Sequence, residues 1–485
     1  MYKSATQQKM MNVTAAGNIK IKLTGLMLLL CLNVLAQMQP LKISANKRYF
    51  QTADGKPFFW LGDTGWLLFV KCKREEAILY LDTRKQQGFN VVQAMLLHDF
   101  NNTKNVYGDW ALKDFDVSEP AVTPGKNFNN ADEYDYWDHI DFIIDEAAKR
   151  GMYMALVPTW GSNVKSAKIN EQQAEVYAKF LAKRYKNKTN IIWLNGGDIN
   201  GKDGYAVWEK LGSTIKNFDG NHLMTFHPRG RTSSTDWFHQ SLWLDFNMFQ
   251  SGHKSYAQDT ASKERRHFGE DNWKYVEEDY AMEPVKPTLD GEPSYEDIPY
   301  GLHDTLSGYW NAADIRRYAY WNVFAGGAGF TYGHNAVMQY YVPGDTGISF
   351  FPRQHWKLGL NAEAATQMKH LKKLVESYSY FDRVPAQELV VENREKYERV
   401  LATRGKNYAM FYVWNGRRFK VDMDKLGFDF CSFYWYNTRS GDKKKFYPPG
   451  YPDGKKGVRT FGPPDENRTG NDWVLIINRE RLIVR

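Results

Sequence analysis

Between about residues 49 and 375 the chain alternates short apolar runs with longer amphipathic stretches. The apolar runs fall at 57–62, 90–96, 153–158, 191–194, 223–227, 245–250, 287–290 and 329–332. Between them, apolar positions recur at helical spacing over 74–87, 136–150, 171–185, 205–217, 273–282 and 312–324. A last helical stretch, 354–377, follows the eighth run. Strand–helix alternation of this kind predicts a parallel sheet, and eight repeats predict its closure into a (β/α)8 TIM-type barrel of the α/β class. The connection over 228–244 carries little helical periodicity, so a doubly wound open sheet remains the alternative.

Beyond about residue 379 the period changes. Short alternating runs at 388–391, 400–403, 408–414, 430–436 and 473–477 are divided by turn signals such as Asn415-Gly416, Ser440-Gly441 and Pro448-Pro449-Gly450. These predict a β-sandwich appended to the barrel. Its plain role is to brace the barrel; no exposed aromatic array supports glycan binding there. The expected organisation is therefore a leader over 1–36, a barrel over 41–378 and a C-terminal β-domain over 379–485.

The leader reads as a secretory signal. Lys20 and Lys22 precede a short apolar core over 23–35, and Val34-Leu35-Ala36 resembles a cleavage site before Gln37. That core is too short to span a bilayer. Translation starting at Met10 or Met11 would fit the signal better, and Leu30 before Cys31 argues against a lipoprotein. The expectation is export to the periplasm or cell surface. Lys3, Lys9, Lys20 and Lys22 carry four of the net charges of +8, so the mature chain is only mildly basic. No basic run interleaved with aromatics resembles a nucleic-acid footprint. Cys72 and Cys431 would remain, two thiols with no disulfide framework and no metal-ligand spacing.

Aromatic residues make up 15% of the chain. Such rings suit sugar stacking, although large cores hold many of them too. More telling is where polar residues fall. Each apolar run ends in a polar or aromatic cluster, among them Asp63-Thr64-Gly65-Trp66, His98-Asp99, Thr159-Trp160, Asn195-Gly196-Gly197-Asp198, His227-Pro228-Arg229, Ser251-Gly252-His253, Gly291-Glu292 and Gly333-His334. Barrel enzymes assemble their chemistry at this end of the strands.

Glycosidic cleavage needs two carboxyl groups, one to protonate the leaving oxygen and one to attack or to activate water. Asp198 after the fourth strand and Glu292 after the seventh are the candidates, since those strands lie nearly opposite in an eight-stranded barrel. Taken singly, Asp198 could cap a helix and Glu292 could pair with an arginine. Asp99, Asp290 and Glu296 compete with them, and Asp63 beside Trp66 suits a sugar hydroxyl. Trp66, Trp160 and Tyr332 are expected as stacking walls, with Asn195, His227 and His334 recognising hydroxyls. Gln93, His98, Gln250, His253 and Tyr295 complete the expected substrate contacts. The histidines come singly, without HxH or HExxH spacing, so no metal is expected. Nor is a cofactor: the chain has no Walker loop and no GxGxxG opening a helix after a strand. The absence of a GxSxG elbow weakens an esterase reading.

These motifs resemble the apiosidase-like family of Bacteroidetes glycan degraders, glycoside hydrolase family 140. The likeness rests on Phe59-Trp60-Leu61-Gly62-Asp63-Thr64-Gly65-Trp66, Gly88-Phe89-Asn90 and Trp193-Leu194-Asn195-Gly196-Gly197-Asp198. It extends through Gly291-Glu292-Pro293-Ser294-Tyr295-Glu296, residues 326–334, Trp435-Tyr436-Asn437 and Asp472-Trp473-Val474-Leu475. It spans nearly the whole mature chain. The resemblance implies a barrel that releases apiose-capped side chains from the pectin rhamnogalacturonan II, with the acid/base on Asp198 and the nucleophile on Glu292. Related barrels usually carry Glu at the strand-four position, so Asp198 is a departure. For an acidic pectin, Arg229 and Arg231 are reasonable uronate partners. The competing expectations are a non-catalytic glycan-binding protein on the same scaffold, or a glycosidase for arabinose or glucose.

Overall fold

The computed structural model describes residues 38–259, 267–450 and 457–480; the expected leader lies outside the described residues. The described chain opens with a small antiparallel sheet of Leu41–Ile43, Phe50–Thr52 and Pro57–Phe58. Eight parallel strands follow: β1 Trp60–Thr64, β2 Val91–Met95, β3 Tyr153–Val157, β4 Ile191–Ile199, β5 Met224–Pro228, β6 Asn247–Gln250, β7 Thr288–Asp290 and β8 Gly329–Tyr332. Every residue of these strands is buried except Asp198. Near-continuous apolar strands are what a parallel sheet covered by helices requires.

The spatial order is β5-β4-β3-β2-β1-β8-β7-β6. β8 pairs in parallel with β1, from Gly329 opposite Trp60 to Tyr332 opposite Asp63. First and last strands are thus neighbours, which makes the sheet a barrel and removes the doubly wound alternative. No ladder joins β5 to β6. At this seam Asp245 N–H donates to Met224 O at 2.8 Å and the Thr225 hydroxyl to Phe246 O at 2.5 Å. Thr232–Ser233 lies antiparallel on β6, and a turn of 3-10 helix, Ser234–Asp236, stands where a helix would complete the repeat. The non-periodic connection at 228–244 is this seam.

The flanking helices are α1 Arg74–Gln86, α2 Tyr136–Lys149, α3 Glu171–Tyr185, α4 Tyr205–Phe218, α5 Asn272–Ala281, α6 Ala312–Phe324 and α7 Glu363–Glu376. Asp135, Asn170 and Asn311 cap α2, α3 and α6 with their side-chain oxygens, satisfying N–H groups that lack intrahelical partners. Several boundaries differ from expectation, β4 most of all, which runs to Ile199 instead of ending at residue 194. Residues 57–58 belong to the small sheet rather than to β1. The stretch 354–377 is broken into Trp356–Gly359 and α7, and the Leu360 carbonyl between them accepts from Arg84 Nη1 (2.9 Å) and Gln87 Nε2 (2.7 Å) instead of a helical N–H.

The C-terminal region forms an antiparallel sheet of Val384–Pro385, Val400–Gly405, Tyr408–Val413, Trp473–Arg479, Cys431–Asn437 and Lys443–Phe446, in that spatial order. A smaller sheet of Val390–Val391, Phe419–Asp422 and Val458–Phe461 accompanies it. Phe411, Phe419, Phe433, Trp435 and Leu475 belong to their common core. α6 carries the contact with the barrel. Tyr320 stacks on Tyr412 with ring centroids 4.7 Å apart, Arg316 grips buried Asp472 through Nη2 at 2.7 Å and Nε at 3.0 Å, and Trp414 Nε1 donates to Ala313 O at 2.9 Å.

Candidate active site

β4 ends in a bulge. Its ladder with β5 slips between Gly196 and Ile199, and Gly196, Gly197 and Asp198 take φ of 91°, 120° and 48°. A Cβ on Gly196 would lie 2.6 Å from His227 O, and one on Gly197 2.8 Å from the Trp160 ring, so the turn requires glycine at both. The bulge takes Asp198 out of the strand's alternation and exposes it to the cleft. Glu292 follows β7. The preceding Gly291 is held on both sides, its N–H donating to Phe249 O at 2.8 Å and its carbonyl accepting from Gln93 Nε2 at 2.9 Å.

One imidazole sits between the two acids. His227 Nδ1 accepts the Asp198 N–H at 3.3 Å, which leaves its proton on Nε2, 3.2 Å from Glu292 Oε2. The other carboxylate oxygen, Oε1, meets His253 Nε2 at 3.1 Å. Burial favours the neutral form of Glu292, but the two imidazoles facing it outweigh that and hold its carboxyl below the usual range. Asp198 moves the other way: although its side chain opens on the cleft, the protein walls around it and the neighbouring Glu292 charge raise it, and His227, His253 and a hydrogen bond from Gln250 only partly offset this. The two carboxyl groups are therefore pushed apart, one towards the acid and one towards the carboxylate.

They share a cleft of about 660 Å³. Trp66 and Trp160 wall one side, with ring centroids 5.3 Å apart. Trp66 Nε1 donates to Tyr295 OH at 3.0 Å, and Tyr295 packs edge-on against His253. His98, Gln250, His253 and Arg229 also line it. Arg231 lines it as well, with Nη1 2.6 Å from Asp259. Sequence reasoning did not single out Lys165, Lys254, Gln339 or Phe350, which line the same cleft. The Ser349-Phe350-Phe351 run, apolar inside a polar loop, was the one available signal.

Six expected substrate contacts lie elsewhere. Asp63 is fully buried, bonded by Arg84 Nε and Tyr80 OH, both at 2.6 Å. Asn195 is buried with its amide on Trp208 O at 2.9 Å. Tyr332 gives its hydroxyl to Glu296 at 2.6 Å, and His334 caps the short helix Asn335–Met338 through Nδ1. Gln93 holds the Gly291 carbonyl before Glu292, and His227 lies between the two carboxyl groups. Among the competing acids, Asp99 pairs with Lys168 at 2.6 Å. Asp290 is buried beneath the site, where burial pushes its carboxyl up to about 7. Glu296 is buried as well and accepts the Ala364 N–H. Among the described residues no group of three or more His, Cys, Asp or Glu side chains is placed to hold a metal, and no helix is long and apolar enough to cross a membrane.

A parallel eight-stranded barrel whose C-terminal rim brings two electrostatically coupled carboxyl groups into an indole-walled cleft has the architecture of a glycoside hydrolase. Residues 44–382 match the family model described as "Apiosidase-like, catalytic domain", and the chain belongs to that family of glycoside hydrolases. Residues 384–478 match a second model, described as "Putative collagen-binding domain of a collagenase". The chain is 44% identical to a solved structure described as "Glycoside hydrolase", with 91% of this chain and 97% of that chain covered and a TM-score of 0.84. It is 42% identical to a crystal structure of a glycoside hydrolase family 5 protein from Bacteroides vulgatus ATCC 8482, with 90% and 93% covered and a TM-score of 0.83. No curated protein matches the chain.

Proposed function

We propose that this protein is an exported apiosidase acting on side chains of the plant pectin rhamnogalacturonan II, with Glu292 as nucleophile and Asp198 as acid/base. The observation that carries the reading is the opposite electrostatic bias of two carboxyl groups joined through one imidazole. Pairs of titratable groups whose surroundings push them apart divide acid and base work between them. Glu292 attacks the anomeric carbon while Asp198 passes its proton to the departing oxygen, leaving a glycosyl ester on Glu292. Asp198, now ionised, takes a proton from water, whose oxygen attacks the same carbon and frees both the sugar and Glu292. Two displacements retain the anomeric configuration.

The apiosidase-like family supports the choice of sugar. Arg229, Arg231, Lys165 and Lys254 in the cleft lining favour an acidic polysaccharide. The leader supports export to the periplasm or cell surface. The test is product analysis after incubation with rhamnogalacturonan II oligosaccharides, with the anomer released followed by proton NMR. The expected product is the released side chain with apiose at its reducing end in the retained configuration, and Glu292→Gln should abolish release while leaving the fold intact. Arabinose or glucose at that end would reassign the sugar. Binding without release would mean a glycan-binding protein on an enzyme scaffold.

A further inference from the structure

The cleft has a second character on the side of β8. Phe350 lines it, together with Leu302 and Ser349, and Phe351 beside it is 55% exposed. Both phenylalanines adopt the left-handed backbone region, at φ 59° and 51°, where any residue but glycine meets a steric penalty. Two such residues in succession persist only if the surroundings hold them. Here two buried side-chain amides from the segment after β8 do so. Asn335 Nδ2 donates to Phe350 O at 2.7 Å, while Gln339 accepts from Ser349 N and donates to Ser349 O, each at 2.9 Å. The rings are supported from the loop after β7, where His303 packs on Phe350 at 5.5 Å and on Phe351 at 6.4 Å between centroids. Ile348, 42% exposed, extends the apolar surface.

A loop whose only duty was to connect β8 to α7 would place glycine or asparagine at such positions and would bury its phenylalanines. This one keeps aromatic rings on a strained backbone at the rim of a cleft that Arg229, Arg231 and Lys254 also line. Resting on the glycosidase reading above, we propose that Phe350 and Phe351 with His303 form a sugar-binding subsite. It takes a second ring of the substrate, adjoining the cleaved linkage, through that ring's C–H face. The ring's hydroxyls stay in water. Recognition of this kind needs flat apolar surface rather than hydrogen bonds, which fits a rim where the amides of Asn335 and Gln339 are already spent on the backbone.

The decisive variant is Phe350→Gly, because it separates a structural duty from a binding one. Glycine removes the ring and the backbone penalty together, so the melting temperature should hold or rise. Initial rates are measured on an apiose-bearing pectic oligosaccharide and on 4-nitrophenyl apioside, which lacks the second sugar. The expected result is a fall of tenfold or more in the ratio of kcat/KM for the oligosaccharide to kcat/KM for the aryl glycoside, carried mainly by KM. Phe351→Ala should move the ratio in the same direction. An unchanged ratio in both variants, or an equal loss on both substrates, overturns the subsite while leaving the apiosidase reading in place. A wild-type protein that cleaves neither substrate overturns that reading first and the subsite with it.

Discussion

His227 is shared by the two carboxyl groups, taking a backbone N–H from one and facing the other with its remaining nitrogen. Its removal therefore acts on ionisation before it acts on shape. In His227→Ala, Glu292 keeps His253 but loses one of its two imidazoles, so its carboxyl pKa rises. On the mechanism proposed above, the ionised Glu292 nucleophile then persists only at higher pH, and the acid limb of the kcat/KM profile should move upward. Since a close cationic neighbour typically shifts a carboxyl by about one to three pH units, and His253 remains, the movement should be about one pH unit. Coupling also runs the other way. In Glu292→Gln the neighbouring charge that helps to raise Asp198 is gone; carbon NMR of the Asp198 carboxyl should find it titrating at lower pH than in the wild type. An unmoved Asp198 would mean that burial alone sets its acidity.

At the scale of the element, the end of β4 matters most. Gly197→Ala would force a Cβ to within 2.8 Å of the Trp160 ring at φ 120°. The strain belongs to the order of 1–3 kcal/mol, and relieving it moves the Trp160 ring or the bulge that carries Asp198. Since a misplacement of about 1 Å can cost roughly 10²-fold in rate, kcat should fall by about that factor while the melting temperature drops only a few degrees. Equal, severe losses of both would show that the bulge is needed for folding instead. The two glycines before Asp198 announced a tight turn in the sequence, but not that the strand continues through it to Ile199 as a bulge, which depends on its pairing with β5. The strand set was legible for a related reason: apolar runs such as Gly329–Tyr332, bounded by glycines, admit one register. Less legible was which polar residues at strand ends face the cleft. Asp63, Asn195, Tyr332 and His334 satisfy the same positional rule as Asp198 and Glu292, yet they face Arg84, the Trp208 carbonyl, Glu296 and a helix N-terminus. His334 caps the helix that begins at the next residue, whereas the partners of Asp63, Asn195 and Tyr332 come from other elements, so local pattern has no access to them. The break at Leu360 has the same origin, since Arg84 and Gln87 take its carbonyl from far away in the chain.

For the whole molecule, the decisive joint is α6 against the C-terminal sheets. Arg316 and Asp472 are both buried there, and Tyr412 and Thr438 also donate hydroxyl protons to Asp472. In Asp472→Ala the arginine stays buried without its counter-charge, which should cost about 3–5 kcal/mol. Urea unfolding should then show a lower midpoint for barrel and β-domain together, in a single transition. If the β-domain alone loosened, the two would be separable folding units. The barrel itself has one weak circumference point. Where β5 meets β6, a few hydrogen bonds stand in for a ladder, directly below the chain that supplies Arg229 and Arg231. That segment is tied to both neighbouring strand ends: Arg229 N–H donates to Ile199 O at the end of β4 at 3.0 Å, and Arg231 N–H donates to Gln250 O at the end of β6 at 2.6 Å. On the mechanism proposed above, a change in the length of this segment would reach Asp198 through β4, so a new preference acquired there would come with a resetting of the acid/base.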